Sequence, residues 1–199
     1  MSATLSKDEV LFLQRLLKSA GIYAGALDSS WGPKTDAAAK AFEARGRELR
    51  VIHGELDARS ETNLQLLQPK AQEAARVFLR KVKDAGIDAR ILSGTRTYAE
   101  QNKLFAQGRF GNPGPVVTKA RGGQSNHNFG IAWDIGIFQN GKYLPDSPLY
   151  KKAADAGLVP GLEWGGNWTT IQDRPHYQLP TGLLISEVRE RFEKGQAIV

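Results

Sequence analysis

The chain contains no cysteine among its 199 residues. Disulfide scaffolds, thiol nucleophiles and thiolate-held zinc or iron–sulfur sites are thereby excluded. Histidine is scarce as well, with only His53, His127 and His176. Any transition-metal site must therefore be assembled from these three and from carboxylates. No apolar run approaches the roughly 20 residues that cross a bilayer, so stable membrane insertion is not expected. Residues 1–10 lack a basic patch followed by an apolar stretch, so no secretory signal is expected. Also missing are a G-x-S-x-G elbow, a phosphate-binding loop and a dinucleotide fingerprint. There is no Lys/Arg run and no basic segment interleaved with aromatics, so nucleic acid is not an expected partner.

At roughly 150 residues per domain, the length suits one domain or two small ones. A hydrophobic share of 41% and a charged share of 24% suit a packed core. The formal net charge is +6. Residues 1–67 are balanced, with nine basic and nine acidic side chains, and the whole excess falls in residues 68–199. A basic surface there would favour approach to an anionic polymer.

The hydrophobic pattern begins with helices. Ser6-Lys7-Asp8-Glu9 has the S-x-x-E form of a capping box, and Val10, Leu13, Leu16 and Leu17 follow at helical spacing up to Gly21. A second helix is expected over 34–44, then a polar stretch through His53, then a short helix from about Ser60 carrying Leu64 and Leu67. Pro69 suits the first turn of a further helix. Residues 87–91 alternate as a strand, and Thr97 with Glu100 forms a second capping box. Residues 108–123 are rich in Gly and Pro with little periodicity. Apolar runs at 131–138 and 177–179 read as strands, separated by a helix over 147–156 and followed by one over 181–192. The expected fold class is α+β: a three-helix bundle over 1–67, then a small domain over 68–199 with an antiparallel sheet flanked by helices.

Within the first segment, Leu13-Gln14, Leu17, Gly21, Leu27-Asp28, Trp31-Gly32, Thr35, Ala38 and Phe42 stand in order, followed by Gly54, Leu56-Asp57, Thr62 and Leu66. Over residues 8–67 this order resembles the peptidoglycan-binding three-helix module that accompanies many cell-wall hydrolases. The charged stretch 45–51 departs from it. The apolar members are expected to be core.

Two histidines of the second segment lie near aspartates: His127 before Asp134, and His176 after Asp173. Two His and one carboxylate can hold a catalytic zinc, leaving a fourth position for water. His127 and Asp134 are seven residues apart. On one straight strand they would be roughly 23 Å apart on opposite faces, so the chain has to turn between them, and Gly130 permits it.

Ser125, His127, Gly130, Ala132 and Asp134 match the S-x-H-x-x-G-x-A-x-D signature of the zinc D-alanyl-D-alanine carboxypeptidase and L-alanyl-D-glutamate endopeptidase family. Trp164-Gly165-Gly166-Asn167-Trp168, then Asp173-Arg174-Pro175-His176-Tyr177, resembles the W-G-G-x-W and D-x-P-H-[FY] segments of its endopeptidase branch. Ser93-Gly94-Thr95-Arg96-Thr97 is similar to the family's upstream segment. The likeness spans about residues 70–180.

The resemblance implies that His127, Asp134 and His176 bind Zn2+. It implies that Asp173 is the general base and acid, where many relatives carry Glu, and Glu163 is the competing candidate. Arg96 would hold a substrate carboxylate or polarise the scissile carbonyl. Ser125 would bond substrate or steady the site. The expected protein is a monomeric bacteriophage endolysin that cuts the stem peptide of peptidoglycan, between L-alanine and D-glutamate. It would accumulate in the host cytoplasm and reach the wall after membrane breach. A D-alanyl-D-alanine carboxypeptidase is the alternative. A non-haem iron oxygenase, which lacks its usual H-x-D pair here, and a non-catalytic wall-binding protein are more distant ones.

Overall fold

Both capping boxes open helices in the computed structural model, which describes residues 5–199. The first four residues, including the start of the expected 1–67 segment and of the stretch read for a secretory signal, lie outside the described residues. In α1 (Lys7–Ser19) Ser6 caps the N-terminus and Glu9 reaches back to it; Thr97 and Glu100 do the same for α5 (Tyr98–Ala106). Each box satisfies donors that a helix start leaves without partners. Helix α2 (Pro33–His53) is longer than expected. The stretch read as polar connection is helical because Leu49 stands two turns after Phe42 on the same buried face, while Arg45 pairs with Glu48 at 2.9 Å on the outside.

The chain folds into two compact units. One comprises Met1–Ala44, Arg96–Gly130 and Thr181–Ile198; the other comprises Arg45–Thr95 and Ile131–Pro180, with Val199. These units do not follow the boundary expected between residues 67 and 68.

In the first unit, α1 packs on α7 (Ile185–Glu193) through Phe12 and Phe192, whose rings lie 5.7 Å apart, with Phe129 5.3 Å beyond. Buried Gln14 ties down the 25–33 connection. It donates to Asp28 at 2.9 Å and to the Ser30 carbonyl at 3.0 Å, and accepts from the Asp28 and Ser29 backbone N–H groups. Gln14 and Asp28, the polar members of the Leu-Gln and Leu-Asp pairs, thus hold the connection in place. Residues 107–125 form no helix or strand.

The second unit holds a five-stranded antiparallel sheet of β1 (Asp88–Ser93), β2 (Ala132–Gln139), β3 (Lys142–Leu144), β4 (Glu163–Trp164) and β5 (His176–Gln178). The order is β1-β2-β5-β4, and the short β3 also pairs with β2. On one sheet face, Ile91, Trp133, Ile135, Ile137 and Tyr177 join one core with Ala71, Ala75, Phe78 and Val82 of α4 (Pro69–Asp84) and with α6 (Leu149–Gly157). Gly157 lets α6 approach α4 closely, since a Cβ there would meet the Phe78 ring at 2.4 Å.

Helix α3 (Ala58–Leu64) belongs to this unit too. Leu64 and Leu67 are fully buried in the same core. Ser60 accepts from the Ile91 N–H at 2.9 Å, and Asn63 donates to the Ile91 carbonyl at 2.8 Å. The helix so covers a strand edge that would otherwise present unpaired backbone groups. Glu61 pairs with buried Arg76 through bonds of 2.8 and 2.6 Å. No helix among the described residues is long and apolar enough to cross a membrane.

Candidate metal centre

Strand alternation sorts the motif residues onto two faces. Trp133 and Tyr177 pair across β2 and β5 on the core side, where their rings stack at 6.3 Å. One residue along, Asp134 and His176 are direct cross-strand partners and so share the opposite face. Asp134 Oδ1 lies 3.1 Å from His176 Nδ1.

His127 is in a 3₁₀ turn, Asn126–Phe129, rather than a strand. Gly130 ends that turn at φ 68°, in the left-handed region, and redirects the chain into β2. One ligand atom from each of His127, Asp134 and His176 lies within 4.8 Å of the others, against the roughly 23 Å of a straight strand for the first pair. Both rings are buried, at 2% and 6% exposure, while the Asp134 side chain is 24% exposed. Two imidazoles and a carboxylate with one open side fit the donor set of a catalytic zinc.

The turn carrying His127 is fixed through its backbone. The His127 carbonyl accepts from the Arg96 N–H at 3.0 Å. Fully buried Asn128 donates to the Arg96 carbonyl at 2.9 Å and accepts from the Gly123 N–H at 2.9 Å. Ser125 precedes the turn, and its carbonyl accepts from the Asn128 N–H at 2.9 Å. Arg96 and Ser125 are both half-buried.

Asp173 is half-buried and tied through its backbone to His176. Its N–H donates to the Gly165 carbonyl at 3.0 Å, and its carbonyl accepts from the His176 N–H at 3.2 Å. The two glycines of the W-G-G-x-W segment are space requirements: a Cβ on Gly165 would sit 2.6 Å from the Asp173 carbonyl oxygen, and one on Gly166 would enter the Trp164 ring. Trp164 itself is core, its indole N–H donating to the Arg174 carbonyl at 2.7 Å. Burial disfavours the charged His176 ring, but the hydrogen bond and charge of Asp134 outweigh it, with smaller contributions from Gln178 and Asp173. The ring's pKa therefore lies above its ordinary value.

Glu163 is engaged on both oxygens, accepting from the Trp168 indole N–H at 2.6 Å and from the Gln178 side-chain amide at 2.9 Å. Gln178 Oε1 lies 2.9 Å from His176 Nε2. Sequence reasoning missed Gln178. Its signal was position: two residues after His176 on a strand, it must share that residue's face. His53, at the end of α2, is largely covered, with Nδ1 2.9 Å from Arg80.

A family model described as D-alanyl-D-alanine carboxypeptidase matches residues 118–179. The chain is 32% identical over 123 residues to the peptidoglycan L-alanyl-D-glutamate endopeptidase CwlK of Bacillus subtilis (strain 168), covering 57% of this chain and 73% of that protein. Among solved structures, the L-Ala D-Glu endopeptidase ChiX of Serratia marcescens is 27% identical with a TM-score of 0.46, covering 64% of this chain and 90% of that one. With its motif residues gathered as described, the chain belongs to the zinc-dependent D-alanyl-D-alanine carboxypeptidase and L-alanyl-D-glutamate endopeptidase family of metallopeptidases.

Proposed function

We propose that this chain is a peptidoglycan hydrolase that cuts the L-alanyl-D-glutamate bond of the stem peptide. The observation that carries the reading is the gathering of His127, Asp134 and His176 with Asp173 tied by backbone to the last of them. The choice of bond leans on the named activity of the Bacillus relative. Zinc held by His127, Asp134 and His176 would polarise the scissile carbonyl and lower the pKa of water.

The chain's own residues supply the proton traffic and the grip on substrate. The Asp173 carboxylate takes a proton from the attacking water and passes it to the leaving amine nitrogen, the role of a positioned general base and acid. Arg96 meets a substrate carboxylate or the scissile carbonyl, and Ser125 hydrogen-bonds substrate beside His127. Glu163 is a poorer base, because both its oxygens already accept bonds.

Residues 1–67 provide wall affinity in this reading, and the protein acts as a monomer. As an endolysin it would be made in a host cytoplasm and meet the wall once the membrane is breached. Cutting the chain at 67/68 would remove Leu64, Leu67 and Glu61 from the sheet-bearing unit. Wall affinity is therefore measured on the full chain, by retention of an Asp173→Asn variant on insoluble peptidoglycan.

The deciding experiment digests purified peptidoglycan with zinc-loaded protein and identifies new amino termini by mass spectrometry. Amino-terminal glutamate is expected. Free D-alanine without it would establish the carboxypeptidase alternative, and no digestion at all would overturn the hydrolase reading.

A further inference from the structure

Three side chains continue outward from His176: Gln178 and Glu163 along one face of the sheet, and then Trp168. Asp134 on β2 faces His176 on β5, and Gln178, two residues on, faces Glu163 on β4. The bonds run from His176 Nε2 to Gln178 Oε1 at 2.9 Å, from Gln178 Nε2 to Glu163 Oε2 at 2.9 Å, and from Trp168 Nε1 to Glu163 Oε1 at 2.6 Å. The Trp168 ring also lies against the His176 ring, with centroids 5.0 Å apart.

The donor and acceptor roles along this chain are forced. An indole N–H can only donate, and an ionised carboxylate can only accept. Gln178 must therefore turn its NH2 toward Glu163, which leaves its carbonyl oxygen facing His176. A carbonyl oxygen accepts only, so His176 Nε2 must carry the hydrogen. A ring that binds a metal is neutral and has one N–H, so its lone pair is on Nδ1, the atom 3.1 Å from Asp134 Oδ1. Nδ1 and Oδ1 then both offer lone pairs to a metal ion, in place of the proton they share without one.

We infer that Gln178, Glu163 and Trp168 are positioning residues that hold His176 in its Nε2–H tautomer, presenting Nδ1 as the metal-binding nitrogen. The inference rests on the zinc-peptidase reading and extends it. It assigns Glu163 to orienting a ligand, leaving proton transfer to Asp173. It also gives the final tryptophan of the W-G-G-x-W segment a function, since its indole N–H anchors the far end of the chain. Outer partners of this kind fix ring orientation and ligand basicity, and their loss typically weakens metal binding on the order of 10- to 100-fold.

The test uses the zinc-loaded full chain labelled with 15N. Long-range 1H–15N correlation of the His176 ring should show a protonated Nε2 that exchanges slowly with solvent, and a metal-bound Nδ1. Zinc affinity, read by chelator competition, should fall about 10- to 100-fold in Gln178→Leu. The slow-exchanging Nε2–H should be lost in Gln178→Leu and in Glu163→Gln. The double exchange Glu163→Gln with Gln178→Glu restores every donor and acceptor: Trp168 to the amide oxygen, the amide NH2 to the carboxylate, and Nε2–H to the carboxylate. It should recover most of the lost affinity, which simple loss of packing would not allow.

A wild-type ring that binds zinc through Nε2, or unchanged affinity and exchange in both Gln178→Leu and Glu163→Gln, overturns the inference while leaving the zinc reading intact. A double exchange no better than Glu163→Gln alone also overturns it. Wild-type protein that binds no zinc overturns both. Should Gln178→Leu fail to fold, the near-isosteric Glu163→Gln and the double exchange still decide the matter.

Discussion

His127 is carried by a 3₁₀ turn whose backbone is bonded on both sides of the ring, whereas His176 is in a strand and its ring is held by other side chains. In the first case Arg96 and Asn128 fix where the chain runs. In the second, strand pairing fixes the chain, and Asp134 and Gln178 fix the ring. Loss of a bond that fixes the main chain is felt first in the folding of the turn. Loss of a bond to a buried ring is felt at the ring itself, because it leaves a buried polar group without compensation. Substitutions around His176 should therefore act on metal binding, and those around His127 on folding of the turn.

The largest effect is expected beside His176, at Asp173. Asp173→Asn keeps the backbone bonds to Gly165 and His176 but removes the proton acceptor. Turnover should fall on the order of a hundred- to ten-thousand-fold while zinc stays bound, as judged by metal content and steady-state kinetics. At saturating zinc, Glu163→Gln should keep turnover within about tenfold, for it orients a ligand and moves no proton. A large loss in Glu163→Gln with an active Asp173→Asn would reverse the two assignments.

An effect of the other kind is expected from Asn128→Ala. Its side chain holds the Arg96 carbonyl and the Gly123 N–H in a fully buried position. Two buried backbone groups would lose their partners, a cost of about 2–6 kcal/mol at about 1–3 kcal/mol each. Denaturant unfolding should show that loss. Saturating zinc should recover part of it, since zinc binds the folded state alone.

How far the sequence revealed this arrangement depends on what each residue's signal was. Both capping boxes, the amphipathic face of α4 and the alternation of β1 are local patterns, and each was legible. That His127, Asp134 and His176 belong together was legible because their residue types and spacing match a family signature. That the chain had to turn between His127 and Asp134 followed from strand geometry alone. What escaped was tertiary. Helix α3 reads as part of an N-terminal bundle, yet Ser60 and Asn63 bond β1, and Leu64 and Leu67 enter its core. No local pattern encodes which of two surfaces an amphipathic helix will cover. The extension of α2 was hidden by its charged surface, because a single inward Leu49 is a weak signal. Gln178 escaped, and Glu163 was read only as a rival base, for a related reason: β4 is only two residues long and leaves no alternation to read, so its pairing with β5 appears only in three dimensions.

The smallest effect is expected where the two regions join along the chain, at Gly130. Its φ of 68° is the left-handed conformation that turns the backbone from the His127 turn into β2. A side chain with a Cβ costs about 1–2 kcal/mol there, through the contact of Cβ with the following carbonyl. Gly130→Ala should therefore lower stability by about that much in denaturant titrations, short of unfolding a domain of ordinary stability. Its consequence for zinc discriminates more finely. If the glycine conformation helps to place His127, relief of this strain has to shift the turn, and zinc affinity should drop together with stability. If stability falls by the expected amount while zinc affinity is unchanged, the bonds from Arg96 and Asn128 fix the turn without help from the glycine. The contrast between the two histidines would then rest on those bonds alone.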